Sequence, residues 1–201
     1  MKNKVNSKLI HISLNKFKFV LILVIFLYSN LSFAQTPTSA DNTVSINEDN
    51  DKVFIAGDFS YSDPNGDPFT QIMITGLEST GTLFYDADND NVIDGGENVV
   101  INQIITVPNI PRLKFRPNSN ESGVSYDSFD FQINDGNDGN SALSYTMTID
   151  IILVNDEPSF TLGANQTVNE DVGAQTVAAW ATVINRGAPD EAAQTLTFHL
   201  T

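Results

Sequence analysis

The 201-residue sequence has no cysteine. Disulfides and thiol chemistry are therefore excluded, and the fold must rest on an apolar core, on bound ions, or on both. Histidine is nearly as scarce: His11 lies near the N-terminus and His199 two residues from the end. Ser-His-Asp and Cys-His catalysis have no members to draw on, and a zinc site of His and Cys has no ligands. Trp180 is the single tryptophan, so no aromatic platform for sugars is visible. Positive charge is almost absent from the body of the chain. Beyond Ala34 only Lys52, Arg112, Lys114, Arg116 and Arg186 are basic, against all 25 acidic residues. Such a polyanion is no nucleic-acid binder, because phosphate backbones need lysine and arginine, and anionic membranes repel it. The longest apolar run, Phe19 to Tyr28, covers ten residues. A membrane-spanning helix takes about 18 or more.

That run has a different reading. Lys2, Lys4, Lys8, Lys16 and Lys18 precede it, and Ser32-Phe33-Ala34 follows with small residues at the −3 and −1 positions before Gln35. A basic segment, a short apolar segment and a small-residue site make a secretory signal peptide, residues 1–34, with no membrane insertion after cleavage. The protein is therefore expected to be exported, extracellular or at the cell surface. Residues 35–42 are polar and are expected to be flexible.

From residue 43 the chain consists of short alternating or apolar runs cut by Gly, Asn, Asp and Pro. "TVSI" starts at Thr43, "FTQIMIT" at Phe69, "TLFY" at Thr82, "NQIITV" at Asn102 and "LKF" at Leu113. "SFDFQI" places Phe129, Phe131 and Ile133 on one face, and "YTMTIDI" does the same for Tyr145, Met147, Ile149 and Ile151. Period two with β-branched and aromatic residues marks half-buried strands. About seven such strands predict an all-β sandwich. The sequence also repeats: "INEDN" at Ile46 returns as "VNEDV" at Val168, and "DPFTQIMI" at Asp67 aligns with "EAAQTLTF" at Glu191. A consistent offset of this size means tandem domains. The first is expected over residues 43–156. A second copy, residues 157–201, stops after about two strands, too few to bury a core, so the chain reads as the beginning of a longer protein.

One stretch concentrates the charge. "DADNDNVIDGGE", Asp86 to Glu97, holds five carboxylates, with no lysine or arginine between Lys52 and Arg112. Asp86, Asp88, Asp90, Val92, Asp94 and Glu97 occupy positions 1, 3, 5, 7, 9 and 12 of an EF-hand calcium loop, with Val92 offering its carbonyl. Asn91 stands where glycine usually makes the sharp turn, and asparagine tolerates positive φ next best. The flanks "TLFY" and "VVINQIITV" read as strands, so this is a calcium loop in a β context. The same composition also makes an ordinary hairpin loop. Against that, two carboxylates about 4 Å apart repel by about 1 kcal/mol in water and about 4 kcal/mol at an effective dielectric of 20. A loop without a basic neighbour would be pushed open, and a dication reverses the sign. Asp127, outside every motif, is expected on the surface.

"INED" near the domain start, "SDPNGDP" at Ser62, "FQINDGNDGNS" at Phe131 and "VNDEPSF" at Val154 together resemble bacterial cadherin-like tandem repeats of large exported surface proteins. The resemblance implies a seven-stranded Greek-key cadherin/immunoglobulin-like sandwich, followed by an incomplete copy, with calcium (Ca2+) at the domain junctions. Position by position, it implies that Glu48, Asn155, Asp156 and Asp190 hold a junction calcium. Asp63, Asp67 and Asp135 match acids that face a preceding junction. Taken singly, each of these acids is as well explained by a turn: "DPNGD" and "NDG" are turn compositions. The family's mid-domain acid is represented only by Glu121 upstream of Tyr126.

Two functions follow. The first is a non-enzymatic, calcium-stiffened stalk or adhesin segment, with neighbouring repeats, surface proteins or glycans as partners. The second is a non-catalytic spacer at the N-terminus of a large secreted hydrolase. Further copies of the repeat, or a catalytic domain, beyond Thr201 would separate them.

Overall fold

The computed structural model describes residues 35–199; the expected signal segment, residues 1–34, lies outside the described residues. The fold is all-β. Its strands are β1 (Asn42–Asn47), β2 (Lys52–Val53), β3 (Gln71–Gly76), β4 (Thr82–Tyr85), β5 (Ile104–Thr106), β6 (Leu113–Arg116), β7 (Gly123–Asn134), β8 (Tyr145–Ile152), β9 (Ser159–Leu162) and β10 (Ala181–Asn185). Three short 3-10 turns, Ala56–Asp58, Val107–Arg112 and Pro189–Glu191, are the described helical pieces.

Five strands form one mixed sheet in the order β1-β8-β7-β3-β5. β1 runs parallel to β8, and the other pairs are antiparallel. β2-β6-β4 form a second, antiparallel sheet. The two sheets share one core. Ile72 and Ile74 of β3, Phe129, Phe131 and Ile133 of β7, and Met147 and Ile149 of β8 supply one side. Leu83 of β4 and Leu113 and Phe115 of β6 supply the other. Phe54 and Phe59 fill the gap edge-on, Phe54 at 5.3 Å from Phe129 and Phe59 at 4.9 Å from Phe131. The alternation that predicts β7 and β8 is the alternation that buries them.

The structure differs from the sequence expectation in several places. Eight strands, not seven, precede Asp156; the addition is β2, whose two residues are too short to show a period. Within residues 35–42, Thr38 and Ser62 exchange backbone hydrogen bonds of 2.8 and 2.9 Å, and Ser39 Oγ donates to the Ser60 carbonyl at 2.6 Å. "VVIN" is not strand. Asn98 bridges to Phe84, and the Gln103 amide then donates to the Val100 carbonyl in a turn with Asn102 at φ 67°. That turn carries the chain from the smaller sheet to β5 in the larger one.

Beyond Asp156 the chain forms the antiparallel pair β9-β10. Val168, Val177, Trp180 and Phe198 are exposed there, between 36% and 62%. Pro189–Glu191 is the better-packed part: Glu191 is 1% exposed and accepts from the Asp156 amide at 2.8 Å.

Candidate functional site

The acidic loop grows out of β4 and is closed by the segment returning beside it. The Tyr85 amide donates to the Glu97 carbonyl at 2.8 Å, and the Val99 amide to that of Leu83 at 3.1 Å. Asn89 and Asn91 both sit at φ 65°, the left-handed conformation that asparagine tolerates, and wind the chain back on itself. This brings Asp86, Asp88 and Glu97 together, and also Asp88, Asp90 and Asp94, each triple with carboxylate oxygens within 4.8 Å. Val92 is exposed, and its amide donates to Asp90 Oδ1 at 2.8 Å.

The five carboxylates have different surroundings. Asp86 is fully buried and Glu97 is 8% exposed, whereas Asp88, Asp90 and Asp94 face solvent. Glu97 Oε1 accepts from the Ala87 amide at 2.7 Å and Oε2 from the Asp94 amide at 2.9 Å. Asp86 Oδ1 accepts from the Asp90 amide at 3.1 Å and Oδ2 from that of Asn91 at 3.0 Å. The expected lack of a basic neighbour is corrected here. Lys114 Nζ lies 2.6 Å from Asp86 Oδ2 and 2.8 Å from Asn91 Oδ1. Hydrogen bonding from Lys114 holds the Asp86 carboxyl below the usual carboxylate range. Desolvation, followed by the nearby charges of Asp90, Glu97 and Asp86, pushes Asp88 up.

A second acidic cluster joins two segments far apart in sequence. Asp67, Asp135 and Asp138 converge within 4.8 Å. Asp63 Oδ1 accepts from the Asn65 and Asp67 amides, and Asn65 Nδ2 donates to Asp138 Oδ2 at 2.7 Å. Asp135 is 2% exposed; its Oδ1 takes the Asn137 and Asp138 amides, and its Oδ2 has no partner. Asp63 Oδ2 is likewise buried and unpartnered. Tyr61 donates to the Asp67 carbonyl at 2.5 Å, and burial among these acids pushes its phenol up to about 12.

At the other end of β8, Glu48 is 3% exposed and accepts from the Val154 amide. Burial is the main cause that raises its carboxyl, and Asp190 beside it adds to the effect. Ser122 Oγ donates to Asp190 Oδ2 at 2.8 Å. Glu48 Oε2 and Asp190 Oδ1 are buried without a partner. Asn155 is exposed and its side-chain Nδ2 donates to the Asp156 carbonyl at 2.9 Å, while the Asp156 backbone amide donates to Glu191 Oε1. Among the described residues no three acidic side chains converge at this end.

Sequence reasoning did not find Asp138 or Lys114. Asp138 was legible as the second Asp-Gly of "NDGNDG"; Lys114 was not, because it reaches the loop across the β4–β6 ladder. Asp127, expected on the surface, is 8% exposed and accepts from the Ser79 and Thr80 amides at 2.9 and 2.6 Å. Counting back two from Phe129 places it on the buried face, and that alternation is its signal in the sequence. Comparison with protein-family models, curated proteins and solved structures found no match to this chain.

Proposed function

We propose that this chain is a non-enzymatic, exported β-module that binds calcium, a cadherin-like repeat serving as a stalk or adhesin segment of a larger surface protein. One observation carries the reading. Among the described residues five buried side-chain oxygens lack a hydrogen-bond partner; all are carboxylate oxygens, and four belong to Glu48, Asp63, Asp135 and Asp190. Those four are residues for which the resemblance to cadherin-like repeats implies a ligand role. A carboxylate oxygen withdrawn from water without a donor is costly, and the cost is relieved by a proton or a cation. Calcium takes six to eight oxygens in irregular geometry, which suits a donor set of carboxylates and carbonyls.

Asp63, Asp67, Asp135 and Asp138 would hold an ion at one end of β8. Glu48 and Asp190, with Asn155 and Asp156 adjoining, would do so at the other. The 86–97 loop would take a third through Asp88, Asp90, Asp94 and Glu97, with the Val92 carbonyl. Each end cluster joins segments distant in sequence, so an ion there cross-links the chain and removes freedom between neighbouring parts. That is the mechanical role of a stalk. The Greek-key arrangement of the cadherin type belongs to the same proposal, and two sheets sharing one core support it.

The test is thermal unfolding of residues 35–201 in millimolar calcium and in chelator. Extracellular calcium modules bind at roughly 10⁻⁴ to 10⁻³ M, which corresponds to about 1–2 kcal/mol of added stability per site. Asp135→Asn and Glu48→Gln should each reduce the difference. Superimposable melting curves for the unmodified chain would sink the calcium reading.

A further inference from the structure

Three of the five basic residues beyond Ala34 sit at alternate positions in one short stretch, Arg112, Lys114 and Arg116. Period two puts Lys114 and Arg116 on one face of β6, Arg112 ends the 3-10 turn just before it, and all three reach the acidic loop. Arg112 donates to the Ala87 carbonyl. Arg116 Nη2 donates to the Asn91 carbonyl at 3.0 Å while its guanidinium also pairs with Asp51 at 2.7 Å. Lys114 lies deepest, 6% exposed between the fully buried Leu113 and Phe115. Its ammonium bonds Asp86 Oδ2 and Asn91 Oδ1, the side chains at the first and sixth positions of the loop.

We infer that Lys114 is a built-in counter-cation for the 86–97 loop: it holds the loop wound without metal and lowers the loop's affinity for a divalent ion. The inference rests on the calcium reading of that loop and goes beyond it by naming the residue that tunes it. Both oxygens of Asp86 are already engaged, Oδ1 by one loop amide and Oδ2 by another amide and the ammonium. The first-position carboxylate is therefore committed to the scaffold before any ion arrives. A dication entering the loop would compete with a fixed positive charge already 2.6 Å from the Asp86 carboxylate, and like charges repel strongly across a partly desolvated site. Withdrawing the ammonium would leave the buried Asp86 carboxylate with its two loop amides alone, and removing one partner of a buried pair strands the other charge.

Amide resonances of residues 86–97 are followed by NMR during calcium titration of residues 35–201 and of its Lys114→Met variant. The unmodified protein in chelator should already show hydrogen-exchange protection at the Asp90 and Asn91 amides. Lys114→Met should lose that protection in chelator, regain it in calcium, and bind calcium at the loop on the order of tenfold more tightly. Coil-like exchange at Asp90 and Asn91 in the unmodified chelated protein would overturn the inference, even if the variant fails to fold. Equal or weaker loop affinity in a folded Lys114→Met would also overturn it, while leaving the calcium reading intact. Absence of any calcium-dependent shift at residues 86–97 in both proteins would defeat the calcium reading of the loop, and the affinity claim with it.

Discussion

Asp127 shows how a single side chain can carry a turn. Its two oxygens accept from the Ser79 amide and hydroxyl and from the Thr80 amide, and so fix the chain entering β4. Hydrogen bonds to a charged acceptor contribute about 1.5–3 kcal/mol, and orphaned donors add to the loss. Asp127→Ala should therefore lower stability by about 2–3 kcal/mol in urea titration, whereas Glu157→Gln, on an exposed residue, should stay within about 0.5 kcal/mol. Tyr126 makes a different residue-scale prediction. Burial, then its hydrogen bond to Glu121, pushes its phenol up to about 12, and Tyr61 is raised to about 12 as well. A phenol whose folded pKa lies above the unfolded value of 10 favours the folded state fully below pH 10. That preference is lost as pH rises through about 12. Stability should fall between pH 10 and 12, and the fall should be shallower in Tyr126→Phe. Phenolate absorbance that titrates at pH 10 in every tyrosine of the folded protein would contradict this.

At the scale of elements, β7 and β4 do most to position the acidic sites. β7 pairs with both β3 and β8, and its buried phenylalanines meet Phe54 and Phe59 from across the core. Phe131→Ala should cost about 3–5 kcal/mol, because the neighbouring ring at 4.9 Å is left facing a cavity. β4 starts from Gly81, at φ 69°, where an added Cβ would lie 2.7 Å from the Arg116 carbonyl and from the Phe115 ring. Gly81→Ala therefore combines left-handed strain with a backbone clash, and should destabilise by more than about 1 kcal/mol. The damage should include the 86–97 loop, since Arg116 and Lys114 come from the strand paired with β4. Nuclear magnetic resonance shifts confined to the turn at Gly81 would show that the loop is independent of this ladder.

The whole molecule divides its hydrophobic residues unevenly. The core between the two sheets contains buried residues from Val44 to Ile151. Beyond it, Leu162 is 64% exposed, Val168 62% and Val183 78%. Residues 163–180 contain no strand and are almost all exposed, the kind of segment that proteases enter first. Brief digestion with a nonspecific protease should cut there and leave a resistant fragment through residue 156. A fragment protected through residue 199 in a monomer would show that β9 and β10 are better anchored than their exposure implies. In calcium, cleavage should slow near Asp190, because Glu48 and Asp190 would then share an ion.

The local pattern by itself determined the all-β class. Alternation in "SFDFQI" and "YTMTIDI" depends only on neighbours two apart, so it survives without knowledge of the fold. The spacing of Asp86 to Glu97 likewise predicted that these carboxylates converge, because a tightly wound loop is local and Asn91 supplies the positive φ it needs. Three things were decided only by tertiary structure. Lys114 is 17 residues beyond Glu97, and strand pairing brings it to Asp86. Asp127 became an acceptor for Ser79 and Thr80 because β7 passes beneath their turn. β2 exists because Lys52 and Val53 find β6 as a partner, not because two residues have any strand signal. In each case the deciding contact spans dozens of residues or a register between strands. Sheet pairing brings such residues within hydrogen-bonding distance, and no local period encodes which strands will be neighbours.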